Sequence, residues 1–401
     1  MALIDNRAGE GRIVVYEIGA RNGARHFAES YCRFPESLAH DMFTIFFEAD
    51  ESAIAQIEQR NDPALTQALG ICLGAHDGSG TLHVNYDPYT SSLLKPSANE
   101  GFEFTIEGTM DYVHREVLAP AREVSVEMRA IDGLVGEGLP PPTVLFLDTQ
   151  GTELDILRGG RRAIEEHAVA IVTEAEFLPF YEGQPLFGDL CRELAEMGFI
   201  FAHFVGSLEG IDPFHVPLGF RNRTFVGSCD ALFLRVPRAD EIESGRVARL
   251  GLIAHCFGQG ALAFRCLSML EKADPKLESV PDARGYKAFL VELLAAQRAM
   301  AHYFPPKFTD LYPTAEVSAA RFSVSGGAAA EALQQEALQR VGERLLKGSE
   351  ELQQLLASSP SPLEAVLQKY GFVERATELQ KRRVEETTAM LSSYGIRIER
   401  H

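Results

Sequence analysis

The chain has no tryptophan, only six cysteines in 401 residues, and no long apolar run. The missing tryptophan excludes nothing about function. The cysteines (Cys32, Cys72, Cys191, Cys229, Cys256, Cys266) form no C-x-x-C pair and keep no regular spacing. That argues against a structural zinc site and for reduced, mostly buried thiols. No stretch approaches the roughly 18 consecutive apolar residues of a membrane span. The first residues, MALIDNRAGEGR, contain no apolar signal core. A cytoplasmic chain without a membrane span is therefore expected. Positive charge is scarce as well: 38 Lys and Arg face 57 Asp and Glu, a formal net charge of −19. Such a balance excludes general affinity for nucleic-acid phosphates or anionic membranes.

What is present is an ordinary globular composition, long enough for two domains. Up to about residue 240, short apolar runs alternate with helical patterns, the mark of an α/β sheet. Seven runs suit its strands: 13–18, 43–47, 68–73, 144–147, 168–173, 199–204 and 231–236. Between them, Asp77-Gly78 leads into a strand-like 81–85, and Val124, Val126 and Met128 alternate as on a strand with one exposed face. Helices are expected over 153–167 and 186–197. Residues 241–401 read as an all-helical extension, with helices over 253–269 and 286–303. There Leu338, Leu345 and Leu352 fall seven apart, beside Val341 and Leu355. Either a coiled coil joining copies of the chain or a helix packed on its own domain satisfies that spacing.

The first motif is IVVYEIGARNG, residues 13–23. An apolar strand runs into Glu17, and Gly19 and Gly23 follow. Glycines there let the backbone turn tightly against a ligand that a Cβ would strike. The pattern E-x-G-x-x-x-G is not the G-x-G-x-x-G of dinucleotide enzymes. A carboxylate at the strand end suits the ammonium and sulfonium of S-adenosylmethionine better than a pyrophosphate. About 30 residues on, the second strand ends at Glu48, where a carboxylate can hold a ribose diol. Asp77 follows the third strand; it accepts from an adenine amino group or simply makes a turn.

The second motif is VLFLDTQGTELDILRGG, residues 144–160. Asp148 ends a central parallel strand, Glu153 opens the next helix, and Glu174 and Glu176 follow the next strand. Four carboxylates thus converge on one edge of the sheet. Glu153 also has a plain capping explanation.

These blocks, together with TSSLLKP (90–96), TEAEFLPFYEGQPLFGDL (173–190) and SCDALFLR (228–235), resemble the FkbM-type methyltransferases over roughly residues 12–237. The resemblance implies a class I Rossmann-like sheet and S-adenosylmethionine as methyl donor, with Glu17, Gly19, Gly23 and Glu48 holding it. It also implies an O-methyltransferase acting on a sugar or natural-product hydroxyl, so a small molecule or glycan as acceptor. Glu17 stands where the family has an aspartate. Residues 241–401 lie outside the resemblance.

A sugar hydroxyl is a weak nucleophile and needs a base during attack. Asp148 is the first candidate, with Glu174 or Glu176 orienting the acceptor and His76 as a further possibility. Clustered acids would equally suit magnesium, so the metal is open. Tyr181 either stacks on a sugar ring or fills the core. Ser91 and Ser92 either touch the acceptor or form a turn. The alternative to an enzyme is a non-catalytic binding module that assembles through its helical region.

Overall fold

The computed structural model describes residues 12–21, 31, 32, 34, 36–97, 105–106, 113–206, 208–212, 225–237, 244–273, 276 and 290. The chain divides into two units, Met1–Leu290 and Val291–His401, and all described residues lie in the first. Gly23, the leucines at 338, 345 and 352, and all of the expected helix 286–303 except Leu290 fall outside the described residues.

In chain order the strands are β1 (Ile13–Ile18), β2 (Met42–Phe47), β3 (Thr66–Leu69), β4 (Cys72–Leu73), β5 (Gly78–Asn85), β6 (Thr105–Ile106), β7 (Pro120–Arg129), β8 (Val144–Leu147), β9 (Ala170–Glu176), β10 (Phe199–Val205), β11 (Gly210–Asp212), β12 (Phe225–Val226) and β13 (Ser228–Arg235). The helices are α1 (Glu51–Arg60), α2 (His114–Val117), α3 (Ile131–Gly136), α4 (Glu153–Gly159), α5 (Arg161–His167), α6 (Phe187–Glu196), α7 (Ser244–Cys256) and α8 (Gly260–Ala273). This is a mixed α/β fold around one large sheet of seven strands, ordered β10-β13-β9-β8-β1-β2-β3. Six of them coincide with runs expected from the sequence, and β3 overlaps the start of the seventh. β1, β2, β3, β8 and β9 run parallel, and β13 lies antiparallel between β9 and β10.

All six residues of β1 and of β2 are buried, as they must be in a parallel sheet covered on both faces. Strand alternation sends Val14, Tyr16 and Ile18 to one side, into a core shared with Phe43, Ile45, Phe47, Leu145 and Leu147. Leu134 of α3, Leu157 of α4, Ile164 of α5 and Leu190 and Leu194 of α6 close that core. Each fully buried leucine there contributes roughly 2 kcal/mol. On the other side, Phe46 packs with Ala20 and with Ile57 of α1.

Four expectations are corrected. The run 68–73 is two strands: β3 pairs with β2, whereas β4 joins β7 and β5 in a separate three-stranded sheet. Gly70 and Ile71 carry the chain across. The helix 153–167 breaks at Gly160, whose φ of −110° and ψ of 10° are not helical. A Cβ on Gly159 would sit 2.1 Å from the Gly74 carbonyl, so α4 ends hard against another backbone segment. The strand expected to close at Thr173 continues to Glu176, because β13 pairs it through Asp230↔Glu174 and Ser228↔Glu176. Finally, 253–269 spans two helices. Gly258 adopts φ +72°, and Gln259 N–H returns to the Ala254 carbonyl at 2.7 Å, terminating α7.

Among the described residues no helix is long and apolar enough to cross a membrane.

Candidate functional site

Strand order reverses at β1: β2 and β3 lie to one side of it, β8 and β9 to the other. Open α/β sheets bind ligands outside the carboxyl ends of the strands at such a switch point. Gly19 makes the turn there with φ +80° and donates its N–H to the Phe47 carbonyl at 3.1 Å. Asp148 N–H donates to the Ile18 carbonyl at 3.0 Å. A Cβ on Gly19 would lie 1.8 Å from the Asp148 carbonyl oxygen. The turns after β1 and β8 therefore touch backbone to backbone, so the protein itself requires this glycine before any ligand does.

A cavity of about 620 Å³ opens at this edge. Its size suits a small-molecule ligand. Ile18, Gly19, Phe47, Glu48, Asp148, Thr149 and Gln150 form the wall along the sheet edge, and β5, β7 and the segment 88–93 supply the opposite wall. Glu48, at the tip of β2, is buried, and its Oε1 accepts from Asp50 N–H at 2.8 Å. Burial pushes its carboxyl above the usual range, against the pull of that N–H and of the Arg21 guanidinium. Arg21 pairs with Asp50 at 2.9 Å, and Asp50 also caps α1 through Ser52 N–H.

Around Asp148 the side chains form a connected network. Gln150 Nε2 donates to Asp148 Oδ1 at 2.9 Å and to Glu174 Oε2 at 2.8 Å, so one amide bridges two carboxylates. Gln150 sits at φ +58°, the only non-glycine with positive φ among the described residues. Its carbonyl accepts from Ser92 Oγ at 2.7 Å, and its Oε1 lies 3.2 Å from the Tyr181 hydroxyl. Gly151 follows at φ +97°. Glu153, buried at the start of α4, ties this turn by accepting from Thr149 N–H at 2.7 Å, Thr149 Oγ1 at 2.9 Å and Gly151 N–H at 3.2 Å. Glu174 and Glu176 titrate well above the usual carboxylate range. Burial is the first cause for both; the neighbouring Asp148, Glu153 and, for Glu174, Glu176 and Asp230 add to it.

Of the residues singled out by sequence, Gly19, Glu48 and Asp148 line the cavity, as do Ser91 and Ser92. Glu174 meets Asp148 only through Gln150, and neither Glu174 nor Glu176 lines the cavity. Glu17 is sealed inside β1 at 1% exposure, away from the cavity wall. Asp77 is half exposed and stands elsewhere, accepting from Ala130 N–H at 2.7 Å and pairing with Arg129 at 3.3 Å. His76 is exposed and does not line the cavity. Tyr181 fills core space at 2% exposure and donates to the Thr90 carbonyl at 2.6 Å. Gln150 was legible only as part of the turn after Asp148; nothing in its one-dimensional context marks it as a bridge. Among the described residues, no three His, Cys, Asp or Glu side chains are grouped so as to hold a metal ion.

Glu174 offers a test of this electrostatic arrangement. Its folded-state value is raised, so the fold binds the proton more tightly than the unfolded chain does. The stability this gives is fully present below the unfolded value and is lost as pH rises through the folded one. Glu174→Gln is expected to raise Tm by about 2–4 °C at neutral pH and to flatten the fall of Tm between weakly acid and alkaline buffers. Parallel Tm–pH curves for both proteins would overturn this.

Comparison with known proteins gives three findings. Residues 17–201 match the family described as Methyltransferase FkbM domain. No curated protein matches the chain. Among solved structures, that of methyltransferase FkbM from Methylobacillus flagellatus KT aligns with 15% identity and a TM-score of 0.30, over 56% of this chain and 44% of that one. The chain thus spans less than half of that structure's length. The crystal structure of a "putative RNA methyltransferase" from Pyrococcus horikoshii aligns with 11% identity and a TM-score of 0.26, over 57% of this chain and 76% of that one.

Proposed function

We propose, from the match of residues 17–201 to the methyltransferase FkbM domain, that this protein is an S-adenosylmethionine-dependent O-methyltransferase built on a class I Rossmann-like sheet, acting on a hydroxyl of a sugar or natural product. One observation carries the reading. Two carboxylates, Glu48 and Asp148, face one cavity from the tips of β2 and β8, on either side of the Gly19 turn.

The residues present fit a nucleoside donor. Glu48 keeps acceptor capacity beyond the oxygen already held by Asp50 N–H, enough for the hydroxyls of a ribose diol. The Gly19 turn leaves the floor free of side chain where the donor would lie. When bound, S-adenosylmethionine supplies a methyl group on a sulfonium, open to in-line attack by an oxygen. The chain's own task is to place the acceptor and take its proton. Asp148 is suited to this: Gln150 fixes Oδ1, and Oδ2 has no hydrogen bond among the described residues. Asp148 Oδ2 would take the acceptor's proton while the O–C bond forms and the methyl's bond to sulfur breaks, leaving a neutral thioether. Glu174 and Glu176 stand behind Asp148, and their reluctance to ionise limits the negative charge that Asp148 must share.

Calorimetric titration with S-adenosylmethionine tests the donor site. Binding in the micromolar range is expected, weakened by about 1–3 kcal/mol in Glu48→Ala, because buried hydroxyls lose a charged acceptor. No heat at millimolar ligand would end this reading. Affinity should also fall as pH drops, beginning above the usual carboxylate range. The ionised form of Glu48 holds the diol, and its carboxyl protonates early. Glu48→Gln should bind weakly with a flat pH profile; a wild-type slope in that variant would move the diol elsewhere.

A further inference from the structure

The cavity wall facing the sheet edge has a chemistry of its own. β5 and β7 pair antiparallel, with Leu82 opposite Val124 and Val84 opposite Arg122. Alternation places these four, with Val126, on one face of the small sheet. All five line the cavity, joined by Leu93. Ser125 and Glu127, alternating with them on β7, are exposed and polar and also border the cavity. Leu82, Val84, Val124 and Val126 are half-buried, and Arg122 is exposed. Arg122 makes no hydrogen bond or ion pair among the described residues. Arg21, also on the cavity wall, is already paired with Asp50. The carboxylates Glu48 and Asp148 lie on the opposing wall.

We propose that this wall is the acceptor subsite and that the acceptor is an anionic amphiphile, its apolar body laid on Leu82, Val84, Val124 and Val126 and its carboxylate, sulfate or phosphate paired with Arg122. The proposal rests on the methyl-transfer reading of the sheet edge and narrows its substrate class. A free sugar would leave four apolar side chains wet and the guanidinium without a partner. An apolar scaffold gains from covering them, roughly 25 cal/mol for each Å² removed from water. The guanidinium offers forked N–H donors that match a carboxylate or phosphate with two hydrogen bonds. Arg122 then receives the anion, while Glu48 and Asp148 face the cationic donor.

The test uses the full chain with two fluorescent probes, 8-anilinonaphthalene-1-sulfonate and the neutral N-phenyl-1-naphthylamine, each titrated with and without saturating S-adenosylhomocysteine. The sulfonate is expected to bind more tightly than the neutral probe. Arg122→Gln should weaken the sulfonate about three- to tenfold and leave the neutral probe unchanged. Val124→Thr, which keeps strand shape while adding a hydroxyl, should weaken both. S-adenosylhomocysteine affinity, followed by calorimetry, should be the same in all three proteins. A sulfonate affinity indifferent to Arg122→Gln, or probes indifferent to Val124→Thr, would overturn the subsite. Absent S-adenosylhomocysteine binding with the probe results intact would remove the methyl-transfer reading and leave an anionic-amphiphile site standing.

Discussion

Gly19→Ala is expected to abolish folding, not merely ligand binding. Its φ of +80° alone costs an L-residue about 1–2 kcal/mol. The larger penalty is steric. The new Cβ would sit 1.8 Å from the Asp148 carbonyl oxygen and 2.8 Å from its carbonyl carbon. Both are backbone atoms on a central strand turn, fixed by the Asp148 N–H to Ile18 carbonyl hydrogen bond, so neither can swing aside. Separating the turns after β1 and β8 would break pairing at the switch point. A loss above about 4 kcal/mol follows, large against the marginal stability of a domain. Gly183→Ala is the control: φ is +74°, but its Cβ would meet nothing within 4 Å. Urea denaturation followed by circular dichroism should show a small shift for Gly183→Ala and no cooperative transition for Gly19→Ala. Similar midpoints for the two would mean that conformation, not contact, makes the glycine necessary.

Asp148→Asn is expected to lower turnover by about 10²–10⁴-fold while the donor still binds. The asparagine oxygen can still accept from Gln150 Nε2, so the network that orients the side chain survives. What is lost is an oxygen able to take the acceptor's proton. Transfer of a radiolabelled methyl group to any acceptor used by the wild type measures the rate, and calorimetry measures donor binding. Turnover within threefold of wild type would place the base elsewhere. A parallel loss of donor affinity would show that Asp148 acts in binding.

Much of the frame was legible in one dimension. Six of the seven runs named from hydrophobicity coincide with strands of the large sheet and the seventh overlaps the end of β3; β1, β2 and β8 are the plainest, because a strand buried on both faces is mostly apolar. Glu48 and Asp148 were legible for the same reason: a carboxylate that ends such a run leaves the core at a sheet edge. Helix ends and strand ends were less so. The break at Gly160 depends on how closely α4 approaches Gly74, a contact between segments far apart in the chain. Glu174 and Glu176 stay in β9 because β13 pairs with them, and two acids in a strand are poor advertisement for it. Asp77 illustrates the reverse error. It follows a strand, as a ligand residue would, but Cys72 and Leu73 of β4 line the cavity whereas Asp77 turns to Ala130 N–H and Arg129.

Composition and period alone determined that an α/β sheet forms here and that Glu48 and Asp148 follow two of its buried strands, since burial of a strand is written in its own residues. Only the folded chain decided that Gly19 answers to a carbonyl, that Gln150 joins Asp148 to Glu174, and that Val124 and Arg122 face a cavity. Those are relations between segments distant along the backbone, and local pattern carries no record of which segment will arrive.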